Sequence, residues 1–344
     1  MEINVCASCG GRVEFSPSDK SLKCVNCGSV YSIDFKKEQS KHPIDWMPDA
    51  EKVDKWVNDN RAYKCNVCGA QVTYNRYDIA QTCQYCNTAS LTQLKDLPGL
   101  RPEKVIPFAI DKEQAKQEFK TRTLKRKFLP NQFRKNLPNV DISSTYISAF
   151  SVDCFVNATY KGRQSFTRTE RDKDGRTRTT TEYRYFSGKI DKQFNDLLVE
   201  SSEKISQAEI NNILPYDTNE CYDYCDDFVK GYNVGYYNQD VQQAELVAKN
   251  EMVKILEREI RSKYSSVDYV DIKPTYSNIV YNYTLLPAYF ANFKYKDKSY
   301  TNLMNGQTGK VTGSVPRSGA KITLLVLFIL LIIGLPILFI LLSM

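Results

Sequence analysis

Cys6-Ala7-Ser8-Cys9, followed after fourteen residues by Cys24-Val25-Asn26-Cys27, recurs 59 positions later as Cys65-Asn66-Val67-Cys68 and, after the same fourteen residues, Cys83-Gln84-Tyr85-Cys86. A two-residue gap lets a tight turn place two sulfurs on one ion, and a second pair brought opposite completes the tetrahedron that Zn²⁺ prefers. The spacing therefore predicts two zinc ribbons, each holding one zinc ion. Gly10, Gly28 and Gly69 follow the second cysteine of a knuckle, where the chain turns left-handed, and Asn87 takes the fourth such place. Val13 and Phe15 match Val72 and Tyr74 at the same shift, and Asp19 matches Asp78, so the module is duplicated. A disulfide framework would use the same cysteines, but no cleavable N-terminal signal points to an oxidising compartment.

The other end of the chain is as uniform as the first is patterned. Residues 322–344 carry no charge over 23 positions, and a helix of that length rises ~35 Å against a hydrocarbon core of ~30 Å. Gly334 and Pro336 interrupt the run but are tolerated in membrane helices. Lys310, Arg317 and Lys321 precede it and no charge follows, so the positive-inside rule holds the large N-terminal part in the cytosol. The expectation is a single-pass, tail-anchored protein of the cytoplasmic membrane. The expected fold is multidomain: two small β zinc ribbons at 1–35 and 62–95, joined by a charged linker at 36–61; an α+β domain with an antiparallel sheet at 96–312; a juxtamembrane linker at 313–321; and one C-terminal transmembrane helix at 322–344.

Charge weighs against nucleic acid on the ribbons. The formal net charge is +7, but a zinc ion with four thiolates carries about −2, which brings the loaded chain to about +3. Residues 1–95 hold twelve Lys/Arg and eleven Asp/Glu, so two loaded sites take that region from +1 to about −3. A nucleic-acid module concentrates positive charge instead. The most basic stretch, 96–135, has eleven basic and five acidic residues and reads first as a solvated helix face, with lipid phosphate or an acidic partner as the alternative.

Between the ribbons and the C-terminal run, local signals place the elements. Asp111 with Gln114 three residues on resembles a capping box and opens a helix to about Phe128. Residues 142–190 read as two strands flanking a charged loop, with Asp174-Gly175 as the turn. Ala244, Val247, Ala248, Met252, Ile255, Leu256 and Ile260 recur at helical spacing between Asp240 and Lys263. Val267 to Val311 reads as several strands with a turn at Asn305-Gly306. Cys154, Cys221 and Cys225 read as structural or incidental; the last two fall four apart, the spacing of one helix face. His42, the single histidine, reads as a solvated linker residue.

The segment Val105-Ile106-Pro107-Phe108, then Leu286-Pro287-Ala288-Tyr289, and above all Met304-Asn305-Gly306-Gln307-Thr308-Gly309-Lys310 ahead of an apolar run make this chain resemble the bacterial tail-anchored proteins with two N-terminal zinc ribbons often labelled primosomal helicase-like or TFIIB-type zinc ribbon-containing. The resemblance covers nearly the whole chain; tryptophan is common in the family where Tyr289 stands. It implies the company of phage-shock-protein-A-like, SPFH or virion-core-like and other membrane proteins in a hetero-oligomer. The helicase of the label has no counterpart in the residues, because Gly306-Gln307-Thr308-Gly309-Lys310-Val311 lacks the glycine spacing and the hydroxyl of a P-loop. One histidine excludes an H-E-x-x-H site and leaves a Ser-His-Asp triad only at His42. The reading is a non-catalytic, membrane-anchored zinc-ribbon adaptor that recruits partner proteins in envelope-stress protection, with no catalytic or cofactor-binding residues beyond the eight ligand cysteines. A membrane-tethered nucleic-acid binder is the alternative, and an unrecognised enzyme the third class.

Overall fold

The computed structural model describes residues 5–37, 41–46, 60–75, 82–83, 85–86, 88–94, 101–137, 140–171, 177–202, 204–236, 240–296 and 298–342. Strands β1 (Val13–Ser16), β2 (Ser21–Cys24) and β3 (Val30–Tyr31) form a small antiparallel sheet of their own. Its register follows from alternation, since Val13 and Phe15 are buried while Glu14 and Ser16 are half-exposed. Strand β4 (His42–Pro43) lies within the expected linker but pairs with a strand of the main sheet. Beside it, Lys41 Nζ donates to Asp153 Oδ1 at 2.5 Å and Asp196 Oδ1 at 2.7 Å. The second ribbon supplies β5 (Asn60–Cys65), β6 (Gln71–Asn75) and β7 (Leu91–Gln93).

After β8 (Lys104–Val105), helix α1 (Lys112–Leu124) starts at the expected capping box: Gln114 N donates to Asp111 Oδ1 at 2.8 Å and Asp111 N to Gln114 Oε1 at 3.1 Å. It ends before Phe128, whose φ of +62° is incompatible with helix. A short α2 (Asn131–Asn136) leads into β9 (Asp141–Arg171) and β10 (Thr177–Glu200), paired from Arg171↔Thr177 to Glu200↔Ala149. The turn expected at Asp174-Gly175 lies outside the described residues. Helix α3 (Gln207–Ile213), β11 (Tyr222–Asp223) and β12 (Asn233–Gly235) precede α4 (Val241–Lys263), which buries Ala244, Ala248, Met252, Leu256 and Ile260 of the expected stripe. The next strand, β13 (Val267–Tyr295), runs 29 residues without a break where the sequence suggests several strands. A register shift between Ser277 and Val280, with Asn278 at φ +53°, absorbs the irregularity as a bulge. Strands β14 (Lys298–Asn305) and β15 (Val311–Gly313) and helix α5 (Gly319–Leu342) complete the chain.

The main sheet corrects the expected arrangement of separate modules around an antiparallel domain. It is mixed: β9 pairs antiparallel with β10 and β13, while β12 runs parallel to β9 and β8 parallel to β13. Through β12, which pairs with β6, the strands of the second ribbon belong to this same sheet. The chain is thus mostly β around one large sheet with few helices. The cause is that β12 offers an unpaired edge beside β9, and an edge left open is costly while a ribbon strand can cover it. Alternation along β9 then divides the core. Tyr146, Phe150, Val152, Cys154, Val156 and Ala158 point to the face shared with α4 and the first ribbon, and Ile147 and Ala149 to the face shared with α3 and the second.

The expected transmembrane anchor is also corrected. The start of α5 is held by the body, since Ser318 N donates to Phe128 O at 2.7 Å and Lys321 Nζ to Leu129 O at 2.7 Å and Asn131 Oδ1 at 2.9 Å. Among the described residues no helix is long and apolar enough to cross a membrane. This corrects the expectation of a tail-anchored, single-pass protein placed in the cytoplasmic membrane with a cytosolic head and with the membrane as its partner.

Candidate metal centres

All four knuckles share one backbone device. The first cysteine of each donates its N–H to the carbonyl five residues on: Cys6 to Gly11, Cys24 to Ser29, Cys65 to Ala70 and Cys83 to Thr88, at 2.7–2.9 Å. Within three of them the amide of Gly10, Gly28 or Gly69 returns to the carbonyl of the first cysteine, and each glycine sits at φ between +69° and +77°. A side chain there would be strained, which explains the glycine pattern in the sequence. Asn87 lies outside the described residues.

These turns bring each set of four sulfurs together. In the first tetrad Cys6 and Cys27 stand 3.5 Å apart and Cys9 and Cys24 3.5 Å. In the second, Cys65 and Cys86 stand 3.6 Å apart and Cys68 and Cys83 3.5 Å. Within each tetrad all ligand atoms lie within 4.8 Å of one another. Tetrahedral bonds of ~2.3 Å would set sulfurs ~3.8 Å apart, whereas a disulfide needs ~2.05 Å. The geometry fits a bound metal ion and all eight cysteines are free thiols. The sequence-predicted ligands Cys6, Cys9, Cys24, Cys27, Cys65, Cys68, Cys83 and Cys86 are thus brought together in their predicted sets.

Protonation differs within each set. The Tyr31 hydroxyl, 3.1 Å from Cys6 Sγ, lowers that thiol to about 5. Cys9 feels the Gly11 backbone pulling it down, but hydrogen bonds with Cys27 and Cys24 push it up to about 12. Burial raises Cys65, yet the amides of Cys68 and Val67 outweigh it and leave it lowered to about 7. Burial pushes Cys86 up to about 11 and Cys83 higher still. A divalent cation would displace the protons that the raised thiols hold, so binding must release protons.

Two residues that support the first site are not evident from the spacing. The Ala7 amide donates to Tyr31 Oη at 2.9 Å, which leaves the hydroxyl proton free to point at Cys6, and Ser29 Oγ lies 3.1 Å from Cys27 Sγ. Outer hydrogen bonds of this kind orient metal ligands. The repeat itself carries the signal for Tyr31, since the position 59 residues on is Ser90 and the two ribbons differ there.

The remaining cysteines and His42 do other work. Cys154 is buried in β9, its Sγ 3.6 Å from Ser277 O. Cys221 and Cys225 flank β11 instead of sharing a helix face, and burial raises both, Cys221 to about 11. His42 is pinned, with Nε2 2.7 Å from Glu103 Oε1 and its ring stacked on Trp46 at 3.7 Å.

The three motifs that carry the family resemblance meet in one packed knot. Gly306 N donates to Pro287 O at 2.8 Å, Ala109 N to Gly306 O at 3.1 Å, and Tyr289 Oη to Ile110 O at 2.7 Å. Phe108 packs edge-on against Tyr289 at 4.9 Å, and a Cβ on Gly306 would fall 2.7 Å from the Phe108 ring. Asn305 closes the turn, accepting from Gln307 and Thr308 amides at 2.7 and 2.9 Å while donating to Ile213 O and Pro215 O. The glycine-containing motif is therefore an architectural lock.

No family model matches the chain, and no solved structure matches it. It is similar to the uncharacterized protein YdjG of Bacillus subtilis (strain 168), at 27% identity over 324 residues that cover 92% of this chain and 91% of that protein.

Proposed function

We propose that the chain is a non-catalytic zinc-ribbon scaffold that holds partner proteins. The single observation that carries this reading is that each metal site is closed by four cysteines, which leaves no ligand position for a substrate or an activated water, the arrangement of structural zinc. The packing of the NGQTG turn and its partner motifs into architecture agrees with it. Four soft thiolates in tetrahedral reach support zinc as the ion. The envelope-stress role rests on the family resemblance.

Metal analysis of the purified chain should return about two zinc ions per chain. A chain carrying both Cys6→Ser and Cys65→Ser should lose both ions together with the proteins crosslinked to the native chain in cells. A folded native chain without metal, or a metal-free variant that keeps every crosslinked partner, overturns the reading.

A further inference from the structure

Past the body of the molecule, β9, β10 and β13 continue as a three-stranded antiparallel arm. Helix α4 covers one of its faces: Phe186 stacks on Tyr264 at 3.9 Å, Lys192 Nζ lies 2.8 Å from Glu259 Oε2, and Tyr276 Oη donates to Lys249 O at 3.5 Å. Because side chains alternate, the odd-numbered residues of the arm occupy the opposite face. There the register places Tyr185, Arg163 and Tyr269 in one cross-strand row, with Tyr183 opposite Ser165 one step further out. The three tyrosines are 53%, 74% and 41% exposed for Tyr183, Tyr185 and Tyr269. The Arg163 guanidinium lies 4.5 Å from the ring centre of Tyr183 and 5.3 Å from that of Tyr269. The adjoining rows are Ser187–Lys161–Asp271 and Lys189–Thr159–Lys273.

We propose that this face binds single-stranded nucleic acid, with bases stacking on Tyr183, Tyr185 and Tyr269 and phosphates meeting Lys161, Arg163, Lys189 and Lys273. Charge complementarity is the first argument. The odd-numbered positions carry Lys161, Arg163, Arg171, Lys189 and Lys273 against Asp191 and Asp271, with Asp268 paired to Arg163, which leaves the face net positive, whereas metal-loaded ribbons would be acidic. Ring chemistry is the second. Exposed aromatics on a flat sheet, interleaved with cations, accept the faces of unstacked bases, and in a duplex those faces are hidden. A protein partner fits less well, because Ser187, Thr159, Asn157 and Thr275 leave no dry apolar centre of the kind that interfaces are built around. Asp268 and Asp271 already pair with Arg163 and Lys161, so binding is modest in strength and sensitive to salt. This inference is independent of the scaffold reading, since it uses neither metal site.

The test uses the full zinc-loaded chain and labelled oligouridylate or oligothymidylate of ~12 nucleotides, within the ~4–16 that one binding platform covers. Anisotropy at about 50 mM salt should show binding that weakens steeply towards about 200 mM. A chain with Tyr183→Ala and Tyr185→Ala should lose at least ~10-fold in affinity, while Tyr185→Phe, which keeps the ring, should stay within about twofold. Both variants should retain two zinc ions and the native melting transition, which separates loss of binding from loss of fold. Absence of binding at low salt, equal affinity of the double variant, or loss of binding with Cys65→Ser but not with the tyrosines overturns the proposal. Equal, tyrosine-independent binding of poly-glutamate also overturns it, because the face would then be a charge surface only.

Discussion

The two ribbons have the same cysteine spacing and the same knuckle hydrogen bonds, yet they are built into the molecule differently. The first keeps its own three-stranded sheet and joins the body through side chains and a backbone bond: Phe15 packs on Phe228 at 5.5 Å and its amide donates to Lys230 O at 3.0 Å, Phe35 stacks on Phe228 at 5.4 Å, and Lys20 pairs with Glu220. Its outer ligands Cys9 and Cys27 are exposed. The second shares the main sheet through Val234↔Thr73 and Gly235↔Val72, and sends Tyr85, from between two ligands, into the core against Phe290 at 4.9 Å. A shared metal motif thus fixes the local turn but not how much of the fold depends on the metal. That dependence is set by which neighbours the ribbon buries.

The largest expected effect compares the loss of an exposed ligand in the first site with the loss of a buried ligand in the second. Cys9→Ser and Cys83→Ser should each remove one metal ion per chain. Because Cys83 is fully buried and its ribbon completes the main sheet, its loss should lower the melting temperature of the body by roughly 10 °C, the consequence of several kcal/mol. Cys9→Ser should leave the body transition within about 2 °C and loosen only the first ribbon. Calorimetry with parallel metal analysis reads both. Equal shifts would show that the first ribbon is as structural as the second.

A pH experiment sharpens the same contrast beside the second ribbon. Glu200 is buried, and that burial raises its carboxyl to about 8; hydrogen bonds from the Ser202 amide and hydroxyl only partly offset the effect, and Glu209 adds to it. Tyr85 and Tyr216 face the same carboxylate, and Gln207 Oε1 caps the Glu200 amide. Unfolded, the group titrates near ~4.3. Between that value and about 8 the folded chain binds more protons than the unfolded one, so Glu200 contributes fully below ~4.3 and its contribution falls as pH rises through the window. Glu200→Gln should remove that slope and be the more stable chain at pH 8 by a few kcal/mol. Denaturant unfolding at about pH 5 and 8 measures it; parallel slopes for both chains would place the titration elsewhere.

A smaller effect separates glycines near the two ribbons. A Cβ on Gly235 would fall 2.6 Å from the buried Tyr85 hydroxyl, so Gly235→Ala should cost ~1–3 kcal/mol in urea unfolding. On Gly11 the nearest atom, also at 2.6 Å, is the end of the exposed Asn26 side chain, which can swing away. Gly11→Ala should stay within ~0.5 kcal/mol. A reversed order would mean that Tyr85 is free to move and that the second ribbon is less tightly seated than its contacts imply.

What the sequence made legible was local. Cysteine spacing, the Asp111 capping box and the apolar stripe of α4 each depend on residues within a few turns of one another, and each appears where the pattern put it. What it hid was long-range pairing. Nothing in Asn233-Val234-Gly235 says that three residues bridge β9 to the second ribbon, because a strand that short has no period to read. The unbroken length of β13 is not legible either, because its irregularity at Asn278 is absorbed as a bulge and Pro274 sits where the strand is an edge. The apolar C-terminal run was read by composition alone, which could not show that Lys321 and the residue before the helix are held by the body. His42 was misplaced for the same reason, since its partner Glu103 is 61 positions away.

The smallest effect isolates Tyr31, the residue by which the first site differs most from the second. Its hydroxyl accepts the Ala7 amide and lies 3.1 Å from Cys6, so it stabilises the Cys6 thiolate that a metal would bind. Tyr31→Phe keeps the ring in place and deletes only that hydrogen bond, and loss of such a supporting bond typically weakens metal affinity by ~10–100-fold. The lower end applies here, because Tyr31 is half-exposed and water can replace part of the bond. Competition against a chromogenic chelator should therefore show one site per chain weakened about tenfold and the other unchanged, with the melting temperature of the body constant. If both sites weaken together, the ribbons communicate through the sheet and the contrast between an appended and an embedded metal site breaks down; if neither weakens, four thiolates alone set the affinity and Tyr31 merely packs beside them.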